Sequence, residues 1–194
     1  MRNSSKSRVK SHGSAAGTPR RGGKGSKPEH PRRQVDTYFE VLDKAYQHPT
    51  NRIIQWVAIP LFSFAVLGMV WMVPFPEIAF LKKHGYDMFL NWGSFFIAAM
   101  IYYYLRLAPT LSYAALLTVG VFSFFIVQLE YVEQAGGPAV WLVCAVLLLI
   151  ALAALSVGKS MERTQAPFHT FWRLLVLGPI WLWHFVFRKL NIPY

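Results

Sequence analysis

The stretch Tyr46-Gln47-His48-Pro49-Thr50-Asn51-Arg52-Ile53-Ile54-Gln55 decides how this chain is read. It joins an amphipathic segment to the first long apolar run and carries polar side chains into a region where hydrocarbon is expected. Pro49 interrupts the chain and suits the first turn of a new helix, and His48 is held extended before it. Asn51 and Gln55 are four residues apart and share one helix face. Pro60 removes an amide donor from the same helix and frees the carbonyl of Trp56, which adds an acceptor one turn further on. Polar groups at that depth are costly unless paired, so they should face the interior of a bundle.

Upstream, residues 35–46 read as a short helix. Val35, Tyr38, Phe39, Leu42 and Tyr46 recur at three- and four-residue steps, while Asp36, Glu40 and Asp43 face away. Such a helix suits the interface beside a bundle and turns Tyr46 toward the protein. Residues 1–34 differ: they hold ten Lys/Arg against the single acid Glu29, and most of the net charge of +11 lies there. This segment is rich in Ser, Gly and Pro and poor in large apolar residues, the composition of a disordered tail. It forms one region and residues 35–194 a single helical membrane domain. A topogenic, solvated tail is the simplest reading, and anionic lipid headgroups are the candidate partner ahead of nucleic acid. No apolar h-region follows the first basic residues, so the tail is not a signal peptide, and Gly and Pro interrupt any helix of the transit-peptide kind.

Downstream, four apolar runs cover about Ile53–Val73, Phe89–Leu105, Leu111–Leu129 and Val140–Val157. Each approaches the ~20 residues a helix needs to cross a bilayer. Trp56, Trp71, Trp92, Trp141 and Tyr102 to Tyr104 stand near their ends, as in interfacial aromatic belts. The expected fold is all-α: a polytopic bundle of four transmembrane helices with amphipathic or in-plane helices at both ends. Basic residues of the tail, Arg106, Lys159 and Arg163 fall on one side. Lys82 and Lys83 fall on the other, offset by Glu77, Asp87, Glu130 and Glu133. The positive-inside rule puts the first side, with the N-terminus, in the cytoplasm.

The last apolar stretch, 171–187, is interrupted by Gly178-Pro179 and bracketed by Arg173, Arg188 and Lys189. Basic residues at both ends predict an in-plane or re-entrant segment, with a fifth span as the other option. The lone Cys144 excludes an internal disulfide and any Cys-based metal centre. His84, His169 and His184 are scattered and read as loop or interface residues.

Asn51, Gln55, Arg106, Lys159 and Glu162 thus gather at one predicted mouth, with Tyr46 on the adjoining stripe. Lys159 and Glu162 are three apart and positioned to pair. Two readings stand for this polar set. It is either glue between helices, as Asn and Gln often are, or the wall of a pocket.

Several landmarks carry a resemblance. They are Pro49-Thr50-Asn51-Arg52 leading into Ile59-Pro60, Asn91-Trp92, and Tyr103-Tyr104-Leu105-Arg106-Leu107-Ala108-Pro109. Further on come Val127-Gln128-Leu129-Glu130, Gly136-Gly137-Pro138-Ala139, Gly158 with Glu162, and Leu177-Gly178-Pro179-Ile180-Trp181. The end of the chain adds Arg188-Lys189-Leu190-Asn191-Ile192-Pro193-Tyr194. In order and spacing, residues 36–194 resemble the small membrane proteins named after a 2-hydroxy fatty acid dioxygenase of lipid α-oxidation, the Mpo-like family. The resemblance implies a helical membrane fold. In active members it also implies an Fe(II) site that uses O2 to shorten a 2-hydroxy fatty acid by one carbon.

In that family's pattern, histidines stand five residues before the Asn, four after it, and directly after the glycine that closes the fourth run. Here those positions hold Tyr46, Gln55 and Lys159, and only Asn51 and Glu162 remain of the polar set. Tyrosine and glutamine are poor Fe(II) ligands and an ammonium repels a cation. The expectation is a degenerate member that keeps the fold and a pocket for a membrane lipid or fatty acid, without iron, with Lys159 paired to Glu162 in the metal's stead. The alternative is an oxygenase of the parent type or with altered chemistry.

Overall fold

A computed structural model describes residues 33–76, 91–162 and 167–193. The tail, Lys82, Lys83, Glu77, Asp87, His84, Arg163 and Tyr194 lie outside the described residues. Six helices account for nearly all of the rest: α1 (Gln34–Ala45), α2 (Pro49–Trp71), α3 (Trp92–Leu107), α4 (Pro109–Gln134), α5 (Val140–Ser160) and α6 (Phe168–Lys189). No strand occurs among the described residues. The chain is an all-α polytopic protein, with four helices among the described residues long and apolar enough to cross a membrane.

Those four are not quite the four apolar runs. They are α2, α4, α5 and α6. The run expected as the second span becomes α3, with only 16 residues. At 1.5 Å per residue that is about 24 Å of helix, short of a ~30 Å hydrocarbon core.

α6 corrects another expectation. It passes through Gly178-Pro179 as one helix of 22 residues, with Pro179 inside it. Gly178 has a packing reason: a Cβ there would stand 2.8 Å from Cγ2 of Ile59, so the missing side chain lets α6 cross α2 closely. Phe171 lies beneath the Lys159 ammonium at the end of α5, and Phe185 beneath the Arg52 guanidinium at the start of α2. Both flanks of α6 thus meet one mouth of the bundle, while its middle reaches Ile59, two turns deeper along α2. α6 lies across that mouth, as an in-plane segment would, although its length and apolarity also qualify it as a span.

α1 closes over the outer side of α6. Val35, Phe39 and Leu42 are buried as the periodicity predicts, and Tyr46, the C-cap of α1, joins them. Asp43 does not face away: its carboxylate accepts a 3.1 Å hydrogen bond from the Trp181 indole N–H. His184 is likewise no loop residue. It is buried within α6, with its ring stacked on Phe39 at 4.8 Å and on Phe185 at 5.4 Å. Arg173 covers Tyr38. Aromatic and hydrogen-bonding contacts therefore fasten the short α1 to the bundle, where an isolated helix of this length would be marginal.

The closest helix pairing is α2 with α5. Small residues make it possible. Gly68 faces Cys144 and Gly158 faces Asn51, each so tightly that a Cβ would collide with the opposing side chain. Cys144 is buried and its thiol is free.

Candidate functional site

The polar set assembles where α2 begins and α5 ends. Pro49 takes the first helical position and His48 is extended before it (φ −65°, ψ 126°). This leaves the amides of Gln47 and His48 pointing out of the helix start. Glu162, two residues beyond the end of α5, fills that place. Its carboxylate accepts from the Gln47 N–H at 3.1 Å and from the His48 N–H at 3.1 and 3.2 Å. It also accepts from the Asn51 side-chain N–H at 2.6 Å. A negative group at a helix N-terminus is stabilised by the dipole as well as by these donors.

This contact fixes the Asn51 amide. With its nitrogen on Glu162, its oxygen must turn the other way, against the bare Cα of Gly158. Gly158 and Glu162 thus act together: one leaves room for the amide oxygen and the other holds the nitrogen. Asn51 is 1% exposed, as is Gln55 one turn further along the same face. Buried Tyr46 directly precedes the two amides that Glu162 holds. Burial, and then the nearby Glu162 charge, push its phenol up to about 12, so it is a neutral hydroxyl at any ordinary pH.

Two expectations change. Lys159 makes no ion pair with Glu162; its ammonium sits 5.4 Å above the Phe171 ring. The three-residue spacing fails because α5 ends at Ser160, so Glu162 is no longer on the helical face that Lys159 occupies. Arg106 leaves the polar set altogether: it is exposed on α3, and its guanidinium lies 5.9 Å from the Tyr102 ring. Tyr46, Asn51, Gln55 and Glu162 are what remains of the expected polar set. The donors on Gln47 and His48 were missed, since a backbone amide leaves no mark in a residue pattern.

The mouth is not fully satisfied. The Tyr46 hydroxyl, His48 Nδ1, the Asn51 amide oxygen and the Gln55 amide oxygen are buried without a hydrogen-bond partner. A buried amide oxygen without a partner, as on Gln55, is unfavourable by about 1–3 kcal/mol.

The residues present do not fit an Fe(II) centre. At the positions where the resembling pattern carries histidines stand a neutral phenol, a neutral amide and an ammonium turned onto an aromatic ring. Glu162, the one anion among them, is engaged by three donors. No group of three His, Cys, Asp or Glu comes together among the described residues.

Deeper in the bundle the surfaces are apolar. A cavity of about 430 Å³ opens between α2, α3 and α6, lined by Phe62, Phe96, Tyr103, Trp172 and Pro179 among others. Its size falls in the range of small-molecule pockets. A smaller one of about 190 Å³ lies beside it, where Pro60 and Pro179 face the same space. No protein-family model, curated protein or solved structure matches this chain.

Proposed function

We propose that this chain is a membrane-embedded lipid-binding protein, a degenerate relative of the 2-hydroxy fatty acid dioxygenases that keeps their frame and works without iron. The observation that carries this reading is the use made of Glu162. A carboxylate that accepts from two main-chain amides and from Asn51 is committed to holding α2 against α5. It is then a structural clamp, its charge shared among three donors with which a metal or a substrate proton would have to compete. The cavity of about 430 Å³ supplies the place for a lipid chain.

In this reading the N-terminus and the clamp face the cytoplasm, where the basic tail meets anionic headgroups. The reading is tested with full-length protein purified in detergent. Its iron content is measured, and it is incubated with a 2-hydroxy long-chain fatty acid, Fe(II) and O2. The expected result is sub-stoichiometric iron and no one-carbon-shorter acid. Near-stoichiometric iron, or formation of that acid with loss in Asn51→Ala or Glu162→Ala, would establish the oxygenase instead.

A further inference from the structure

Arg106 takes no part in the clamp, and on α3 it lies one turn beyond the lining of the cavity of about 430 Å³. Along α3, Ala99, Tyr103 and Arg106 fall at i, i+4 and i+7 and therefore on one stripe. Ala99 and Tyr103 line the cavity, and Arg106 continues the stripe by one turn toward the bundle mouth. Along α6, Trp172 and Val176 line the opposite wall, and exposed His169 continues that stripe by one turn in the other direction.

The cavity is a groove open to the side. Tyr103 is 45% exposed, Trp172 59% and Val176 40%, so its open edge faces the medium around the bundle. For a polytopic protein that medium is acyl chain. The lining is almost wholly apolar, and two hydroxyls there are already donated, Tyr104's to the Val176 carbonyl at 2.6 Å and Ser63's to the Ile59 carbonyl at 2.9 Å. The groove itself therefore asks for hydrocarbon, while a cation waits at its mouth end. No carboxylate lies within ion-pair distance of Arg106 among the described residues, and its long side chain is free to swing from the Tyr102 ring into the headgroup layer.

From this we infer that the groove between α2, α3 and α6 is a site for an anionic glycerophospholipid. One acyl chain lies along Phe62, Phe96 and Tyr103, and the phosphate is held by Arg106. A guanidinium matches a phosphate with two parallel hydrogen bonds, which gives Arg an advantage over Lys here. A phospholipid is favoured over a free fatty acid because one chain fills the groove while the second remains in the bilayer, with the head left at the level of Arg106. The inference rests on the lipid-binding reading above and names its ligand.

The test compares phosphatidylglycerol with phosphatidylcholine of the same chains, and with oleate, on the full-length protein in detergent. Bound lipid is counted by native mass spectrometry and stabilisation is followed by thermal unfolding. Wild type should retain phosphatidylglycerol about fivefold better than phosphatidylcholine, the effect of one well-placed cation. Arg106→Gln should abolish that preference while keeping chain binding, Arg106→Lys should keep part of it, and Ala99→Trp should reduce retention of both lipids. Helical circular dichroism identifies any variant that fails to fold, and Arg106→Gln, at an exposed position, is the variant that decides. Equal retention of the two phospholipids by wild type means annular lipid only and overturns this inference while sparing the lipid-binding reading. An unchanged preference in Arg106→Gln, or displacement of phosphatidylglycerol by equimolar oleate, also overturns it. Retention of no lipid at all removes both.

Discussion

The two ends of the α2–α5 pair solve the same packing problem with different chemistry. At one end Gly68 meets Cys144, and the polar groups nearby are paired: the Trp71 indole donates to Glu130 at 3.1 Å and the Val140 amide to Glu133 at 3.0 Å. At the other end Gly158 meets Asn51, and Glu162 gathers three donors. Yet the buried polar atoms without partners lie at or beside this second end, on Tyr46, His48, Asn51 and Gln55. Among the described residues, the apolar end closed with single hydrogen bonds leaves no buried side-chain polar atom without a partner, whereas the polar end closed with a carboxylate is tightly tied but keeps surplus groups. Tight tying and polar surplus thus coincide at one place.

The contrast is broken most severely at the acids. Glu162→Ala should lose about 2–3 kcal/mol, because a charged acceptor is withdrawn from buried Asn51 and from two main-chain amides. Glu133→Ala should lose only about 1 kcal/mol, the value of a single helix cap. Chemical or thermal unfolding in detergent compares them, and equal losses would remove the distinction between the ends.

The glycines come next. Gly158→Ala drives a methyl into an amide oxygen that Glu162 holds in place, so it should destabilise by about 1–3 kcal/mol. Gly68→Ala drives its methyl chiefly into the Cys144 thiol, and Cys144→Ala, which removes that thiol, should restore what is lost. Failure of that rescue would mean that the two helix backbones, and not the side chains, set the spacing.

Gln55→Leu sharpens the comparison from the other side. An amide without a partner gains nothing from being polar, so the apolar replacement should be neutral or stabilise by up to about 1 kcal/mol. A clear loss would show that Gln55 serves a bound ligand.

The smallest effect is on pH dependence. Tyr46 is held protonated up to about 12 in the folded chain, against an ordinary 10.0. Its contribution to stability is therefore complete below pH 10 and is lost as pH rises through about 12. Tyr46→Phe should flatten the alkaline limb of the stability profile in that window and leave the neutral region's slope unchanged.

Much of this architecture was legible in the residues. The α1 stripe and the shared face of Asn51 and Gln55 follow from helical periodicity, which records burial directly. The extended His48 follows from proline geometry. The partner of Glu162 was not legible, because helix spacing pointed to Lys159 and the helix ends before Glu162; the true partners are more than 100 residues away in sequence. Arg106 was misplaced for a related reason: a charge at a span end reveals depth but not the direction in which the side chain leaves the helix. Gly178-Pro179 looked like a break because glycine and proline are weak in isolated helices. In the bundle the glycine is a contact surface for Ile59, and the helix continues.

The central claim is that Asn51 and Glu162 are a structural pair, and a double-mutant cycle tests it most directly. Unfolding free energies of wild type, Asn51→Ala, Glu162→Gln and the double variant should give a coupling of about 1–2 kcal/mol, in the range for contacting residues. Additive losses within about 0.3 kcal/mol would contradict it, because the 2.6 Å hydrogen bond between them would then contribute nothing to holding α2 on α5.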